Sequence, residues 1–179
     1  MKSIVVFYSN RGNNKYLSKK IKEKAGSDIF EILEVKKSSS LGLFMYIILR
    51  KKAKLKEANI DLSKYDHVIF AAPIWASGIA MPLLNFIEKE KGKVKSYSFA
   101  TLCLGTPRVE EKAKKQISTL IGKDPVAITV LKYNDVLPEK EKNTIKASNN
   151  YMINDVDYEE FKEQVDRFLS EVKGVIFQR

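Results

Sequence analysis

Three short turns contain the residues of this sequence that are best suited to bind a ligand. They are residues 9–15 (SNRGNNK), residues 73–78 (PIWASG) and residues 104–108 (LGTPR). Each turn directly follows a run of apolar residues that is typical of a buried β-strand. Their polar, glycine and aromatic residues are of the types that bind anions and flat rings, so these turns are candidate binding segments.

The first turn combines hydrogen-bond donors with a glycine and leads into a helix. The free N–H groups and the positive dipole end of a helix N-terminus favour an anion, most naturally a phosphate. Gly12 permits a close approach of the backbone, and the charge of Arg11 can pair with the anion. Further side-chain donors come from Ser9, Asn10, Asn13 and Asn14. The alternative is an asparagine-rich helix cap without a ligand.

The second turn contains Trp75, the only tryptophan of the chain. An indole at this position can stack on a planar aromatic ligand, and Ser77 and Gly78 offer backbone donors. The alternative is that Trp75 only packs against the sheet edge or against residues 41–49.

The third turn offers polar groups for the edge of a flat ring. Thr106 and the backbone can address the polar edges of such a ring, and Arg108 can face its electron-rich side. The alternative is an ordinary turn that enters the next helix.

Strand and helix patterns alternate along the whole chain. Apolar runs predict five strands, at residues 3–9, 28–35, 65–72, 97–104 and 125–131. Helical spacing predicts four helices, at residues 14–25, 81–91, 109–121 and 158–172. Gly26 and Gly122 are expected to end the first and third helices, and Asp155 or Asp157 to cap the last.

This alternation predicts an α/β fold, a single doubly wound open parallel five-stranded sheet with helices on both faces. In such a sheet the ligand lies at the carboxyl ends of the strands, where the winding direction reverses. All three turns follow strands and are therefore expected at this edge. The length of 179 residues fits one domain, residues 1–179. Residues 36–60 form an atypical crossover, and residues 132–154 form a polar loop or short helix.

Composition excludes several kinds of chemistry. One cysteine and one histidine exclude a disulfide framework, a thiolate zinc site and most Ser-His-Asp chemistry, and we expect no metal site. Cys103 is expected inside the fourth strand as a small core residue. His67 is expected to face solvent or a loop, away from the ligand edge.

The N-terminal sequence lacks the pattern of a signal peptide, and the longest apolar stretch is about half of the ~20 residues that span a bilayer. We therefore expect a cytoplasmic protein. The net charge is +10, and residues 1–60 hold 14 Lys and Arg against 5 Asp and Glu. We do not expect nucleic-acid binding, because the basic residues are not interleaved with stacking aromatics.

Residues 41–56 are apolar first and strongly basic afterwards. They can form a crossover helix that packs on the sheet and ends in a basic tip. Otherwise they can form a lid over the ligand, a docking face for an acidic redox partner, or a peripheral membrane contact.

Two segments resemble the flavodoxin-like family. Residues 7–21 (FYSNRGNNKYLSKKI) are similar to its phosphate loop and first helix. Residues 65–89 (YDHVIFAAPIWASGIAMPLLNFIEK) are similar to its third strand, ring-binding loop and following helix. The resemblance covers most of the chain and is weaker at residues 36–60 and 132–154. Arg11 and Asn14 depart from the family, which usually has hydroxyl residues at these places.

The resemblance implies non-covalent binding of flavin mononucleotide (FMN). The phosphate would be held by Ser9, Asn10, Arg11, Gly12, Asn13 and Asn14. One side of the isoalloxazine ring would be lined by Pro73, Ile74, Trp75, Ala76, Ser77 and Gly78. The other side would be lined by Leu104, Gly105, Thr106, Pro107 and Arg108.

The implied function is that of an FMN-binding electron-transfer flavoprotein or a small flavodoxin-fold oxidoreductase. It would act as an electron carrier or resemble a reductase of quinones that uses NAD(P)H, with a redox partner protein or a small molecule as electron acceptor. Arg108 near N1 and O2 of the ring would favour two-electron reduction, whereas a flip of the Ser77–Gly78 peptide would favour one-electron transfer. The alternative is a binding protein that has lost the cofactor and contacts a partner through its basic N-terminal third.

Overall fold

The computed structural model describes residues 2–35, 53–75, 78–144 and 150–176. Within them, five parallel strands form one sheet in the order β2-β1-β3-β6-β7. A small antiparallel hairpin, β4-β5, follows β3. The strands are β1 Ser3–Phe7, β2 Asp28–Glu31, β3 His67–Ala71, β4 Ile74–Trp75, β5 Gly78–Ile79, β6 Tyr97–Cys103 and β7 Ile128–Lys132. The predicted five-stranded parallel sheet is confirmed.

Helices cover both faces of the sheet, as predicted. They are α1 Asn13–Ala25, α2 Met81–Glu90, α3 Val109–Ile121 and α4 Asp155–Ile176. One apolar core joins the sheet to α2 and α3 through residues such as Leu83, Ile87 and Ile117. A second core lies on the opposite face and includes Leu17 of α1 and Phe168 of α4.

The strands are apolar throughout because both of their faces are buried. In β1, Ile4 and Val6 point into one core and Val5 into the other. In β3, all five residues are buried. Side chains alternate between the two faces of a strand, so a sheet that is covered on both sides needs apolar residues at every position.

Glycines end two helices where the sequence predicts it. Gly26 after α1 and Gly122 after α3 adopt the left-handed conformation, with φ of 61° and 86°. The start of α4 differs from the prediction. The side chain of Asn154, and not that of Asp155 or Asp157, accepts a hydrogen bond from the N–H of Asp157 at 2.9 Å. Asn154 is therefore the cap, and both aspartates lie in the first turn.

The expected exposure of His67 is wrong. This residue begins β3 and is fully buried, with its two ring nitrogens 3.0 Å and 3.1 Å from the hydroxyl oxygens of Ser96 and Ser98. Both hydroxyls can partner a neutral imidazole, so the ring is satisfied inside the protein. Burial lowers the pKa of His67 to about 4. The prediction for Cys103 is confirmed, and burial raises the pKa of its thiol to about 11.

Only part of the atypical crossover lies in the described residues. Residues 36–52 lie outside them, and with them most of the segment 41–56, for which we considered a crossover helix, a lid, a docking face or a membrane contact. The flanking residues approach each other, since Glu34 pairs with Leu55 in an isolated antiparallel bridge. β2 ends at Glu31, earlier than predicted. No helix in the described part of the chain has the length and apolar character needed to cross a membrane.

Candidate functional site

A cleft of about 180 Å³ opens at the carboxyl ends of β1 and β3. The chain winds toward β2 on one side of this point and toward β6 on the other. This is where ligands bind in open parallel sheets. The lining residues are Ser9, Asn10, Arg11, Asn13, Asn14, Pro73, Ile74, Trp75, Leu102, Leu104 and Tyr133. The first two predicted turns therefore meet in one cleft, together with the first residue of the third turn.

The first turn of α1 leaves amide N–H groups without a partner inside the helix. Gly12, at φ 103°, immediately precedes α1, and its carbonyl accepts the first helical hydrogen bond from Tyr16 at 2.8 Å. The N–H groups of Asn13, Asn14 and Lys15 belong to the first turn of the helix and have no intrahelical acceptor. Such N–H groups bind anions.

The conformation of Gly12 favours glycine over any residue with a side chain. A φ of 103° strains any residue with a side chain. A Cβ atom at this position would also lie 3.3 Å from the Cε atom of Met152. The N–H of Gly12 donates to the hydroxyl oxygen of Ser9 at 3.1 Å, which closes the turn.

The side chain of Asn14 does not serve as a donor at the cleft surface, contrary to expectation. Its amide nitrogen donates to the carbonyl of Leu102, and its amide oxygen accepts from the N–H of Leu102, both at 3.0 Å. The pairing between β3 and β6 ends at Ala71 and Ala100, so Leu102 has no strand partner on that side. The side chain of Asn14 makes the two hydrogen bonds that a neighbouring strand would make, and Asn14 is itself almost fully buried.

The side chain of Asn13 is also engaged with the protein's own backbone. It donates to the carbonyl of Tyr151 at 2.9 Å and accepts from the N–H of Ile153 at 3.0 Å. These two bonds hold residues 151–153 against the first turn and place Met152 beside Gly12. Asn13 and Asn14 can therefore contribute to anion binding through their backbone N–H groups.

The positive charge that residues 9–15 bring to the cleft comes from Arg11. Arg11 is exposed and lines the cleft. The next cation, Lys15, forms an ion pair of 2.7 Å with Glu31 of β2. Positive charge beside free N–H groups strengthens the attraction for an anion.

Trp75 lies on the hairpin that follows β3. β4 and β5 pair Ile74 with Ile79 and Trp75 with Gly78, and Ala76 and Ser77 between them lie outside the described residues. The indole of Trp75 meets the ring of Tyr8 edge-on, with centroids 6.0 Å apart and an interplanar angle of 87°. Trp75 therefore packs against the end of β1 and also lines the cleft.

The third turn contributes less than predicted. Leu104 lines the cleft, whereas Gly105, Thr106, Pro107 and Arg108 do not. The guanidinium of Arg108 is exposed and donates two hydrogen bonds of 2.8 Å to the carboxylate of Glu111. This ion pair places its charge on the surface at the start of α3, which does not support the predicted role beside a ring.

Comparisons with known proteins identify the family of the chain. The family model for the flavodoxin domain (Flavodoxin_5) matches residues 47–159, which is more than half of the chain. The chain belongs to the flavodoxin domain family. A comparison with curated proteins found no match.

Solved structures show the same fold at low sequence identity. A flavoprotein from Lactobacillus acidophilus, solved in complex with FMN, is 17% identical, with a TM-score of 0.63 over 80% of this chain and 99% of that chain. The Streptococcus pneumonia TIGR4 flavodoxin is 12% identical, with a TM-score of 0.55 over 97% and 99%. Oxidised flavodoxin 1 from Bacillus cereus is 17% identical, with a TM-score of 0.52 over 95% and 98%.

This flavodoxin domain places an aromatic residue in the cleft that the sequence analysis missed. Tyr133 follows β7 and lines the cleft, and its ring stacks on that of Tyr151 with centroids 4.3 Å apart. Burial and a hydrogen bond to Asp157 raise the pKa of Tyr151. The sequence does contain both tyrosines within the polar residues 132–154. Their contact could not be predicted, because they lie far apart along the chain.

The residues of this flavodoxin domain fit part of an FMN molecule. The helix N-terminus, Ser9 and Arg11 suit a phosphate, while Trp75 and Tyr133 supply aromatic surface. Enclosed ligand sites typically have volumes of about 300–1,000 Å³. The cleft is smaller, at about 180 Å³, so it matches only part of FMN.

Proposed function

We propose that this protein is an FMN-binding flavoprotein that transfers electrons, as a carrier or as a small oxidoreductase. One observation carries the proposal. The first turn of α1 and the Trp75 hairpin lie on one cleft, at the point where the sheet reverses its winding. A phosphate and a flat ring are the two ends of FMN, and each has a matching surface here.

The protein's own residues would bind and orient the cofactor. The N–H groups of Asn13, Asn14 and Lys15 would donate to the phosphate, and Arg11 would balance its charge. Trp75 and Tyr133 would exclude water from the ring and limit its orientation. When bound, FMN supplies the redox chemistry that the side chains lack.

The family and the fold support this proposal. The chain is a flavodoxin domain, and the similar flavoprotein from Lactobacillus acidophilus was solved with FMN. In residues 9–15, the hydroxyl oxygen of Ser9 accepts a hydrogen bond from the N–H of Gly12 and closes the turn. Gly12 has the left-handed conformation that lets this turn approach a ligand.

A titration of the apoprotein with FMN and with riboflavin tests the proposal. The two ligands differ in the phosphate, so we expect FMN to bind at least tenfold more tightly, since charge-assisted hydrogen bonds each contribute about 1.5–3 kcal/mol. Gly12→Ala should reduce this preference, because its Cβ approaches Met152 and its conformation is strained. Gly92→Ala, where a Cβ meets no atom within 4 Å, is the matched control.

A second function is supported by a different observation. The small cleft and the engaged side chains of Asn13 and Asn14 suit a protein that keeps the fold without the cofactor. Such a protein would contact a partner through its basic N-terminal third. A colourless protein that takes up neither flavin would refute the first function and favour the second.

The electron donor and acceptor follow from a turnover assay on the FMN-loaded protein. Oxidation of NAD(P)H with reduction of a quinone would identify an oxidoreductase. Reduction only by a partner flavoprotein or iron–sulfur protein would identify an electron carrier.

A further inference from the structure

The hairpin that carries Trp75 is held by one side chain from a distant helix. Gln116 of α3 accepts a hydrogen bond through Oε1 from the backbone N–H of Ile79, at 2.8 Å. Ile79 pairs with Ile74, the neighbour of Trp75. Gln116 therefore acts on β5, the second strand of the hairpin.

The N–H of Ile79 needs this external acceptor because of the ladder pattern. In an antiparallel pair, the residue pairs alternate between those that bond each other and those whose N–H groups point outward. Ala80 donates to Pro73 at 3.1 Å, so the adjacent pair of Ile79 and Ile74 is the outward-pointing one. Ile79 is 3% exposed, and without Gln116 its N–H would be buried and unpaired.

Gly78 makes this contact possible. A Cβ atom on residue 78 would lie 2.4 Å from Oε1 of Gln116, so the side chain of Gln116 would have to move out of its present position. The φ of Gly78 is 145°, a conformation that residues with side chains rarely adopt. The glycine of the second turn therefore serves the packing of α3 against the hairpin, in addition to any contact with a ligand.

We propose that Gln116 is a positioning residue that fixes the Trp75 hairpin and thereby sets the affinity of the cleft for the ring of a flavin. This inference rests on the proposed function, because it assigns the ring end of the cofactor to the hairpin. Gln116 does not line the cleft and acts only through the hairpin.

Trp75 itself reports on the hairpin, because it is the only tryptophan of the chain. In the apoprotein, Gln116→Met keeps the length of the side chain and removes the acceptor. We expect greater quenching of Trp75 fluorescence by acrylamide and a weaker tryptophan signal in near-ultraviolet circular dichroism. Gln116→Glu should restore both signals, because a carboxylate oxygen can also accept from the N–H of Ile79.

Flavin affinity provides the second readout. Gln116→Met should weaken the binding of FMN and of riboflavin by the same factor, about tenfold, as expected when a buried donor loses its partner. The ratio of the two affinities, which reports the phosphate end, should stay unchanged. Lys115→Met, an exposed position on the same helix, is the matched control and should alter neither readout.

Gly78→Ala disturbs the contact with Gln116 from the hairpin. If Gln116→Met does not fold, Gly78→Ala should reproduce the change in the Trp75 signals and the loss of flavin affinity. Unchanged Trp75 signals, or unchanged flavin affinity in a variant whose Trp75 signals do change, would overturn the inference. Wild-type protein that binds neither flavin would instead refute the proposed function, and the inference with it.

Discussion

The side chain of Asn14 has two alternative roles. It can hold residues 9–15 in place through hydrogen bonds within the protein, or it can bind a ligand. The sequence analysis assigned its amide to a phosphate, whereas the structure uses both ends of that amide to bond Leu102 at 3.0 Å. Asn14→Leu keeps a similar shape and removes both partners. The N–H and C=O of Leu102 then remain buried beyond the end of β3.

The expected loss of stability follows from these two groups. Each buried backbone group left without a partner costs about 1–3 kcal/mol, and the nearby cleft admits some water, so we expect a total of about 3 kcal/mol. For a protein of this size, that lowers the melting temperature by about 10 °C. Urea unfolding of the apoprotein, followed by far-ultraviolet circular dichroism, measures the change without any ligand.

Asn10→Leu is the control, since Asn10 belongs to the same turn and lines the cleft. It should change the unfolding free energy by less than about 0.5 kcal/mol, as most substitutions outside the core do. If Asn14→Leu also lost less than about 0.5 kcal/mol while its preference for FMN over riboflavin disappeared, the side chain would be a phosphate ligand and our assignment would be wrong.

Two further predictions concern His67, whose exposure the sequence analysis got wrong, and Arg108, whose predicted role beside a ring is not supported by its ion pair with Glu111. The pKa of His67 is lowered to about 4 from the ordinary value of about 6.5. Between these two pH values the unfolded chain binds a proton that the folded protein does not, so the unfolding free energy should fall by about 3 kcal/mol as the pH falls through this window. Urea unfolding at several pH values should show this slope in the wild type, and His67→Gln should remove it; equal slopes would contradict a buried neutral imidazole. Arg108→Ala should change FMN affinity by less than about twofold, because an exposed guanidinium paired with Glu111 contributes little. A tenfold loss of FMN affinity in a fluorescence titration would instead support a contact between Arg108 and the cofactor.

The fold was predictable because its signals are local. Apolar runs without alternation indicated strands that are covered on both faces, and the structure shows this for β3, in which every residue is buried. Helical spacing predicted α3 with both of its ends, and Gly122 ended it as expected. Boundaries failed where a distant segment intervened, as at β2, which ends early where Glu34 pairs with Leu55.

The location of the site was predictable for a similar reason. Parallel strands bring their carboxyl ends to one edge, so turns that follow different strands must meet there. That rule placed Gly12 and Trp75 near one cleft without any knowledge of distances. The left-handed conformation of Gly12 is likewise consistent with its residue type.

Only the tertiary structure decided what the polar side chains of that edge do. Residue type shows that Asn13, Asn14 and Arg108 can bond a phosphate or a ring, but it does not show which partner lies nearer. Their partners include Ile153, Leu102 and Glu111, and those of the first two are 140 and 88 residues away along the chain. A sequence therefore determines which strands can form and which groups can donate, whereas hydrogen bonds between distant segments depend on the packing of the whole sheet.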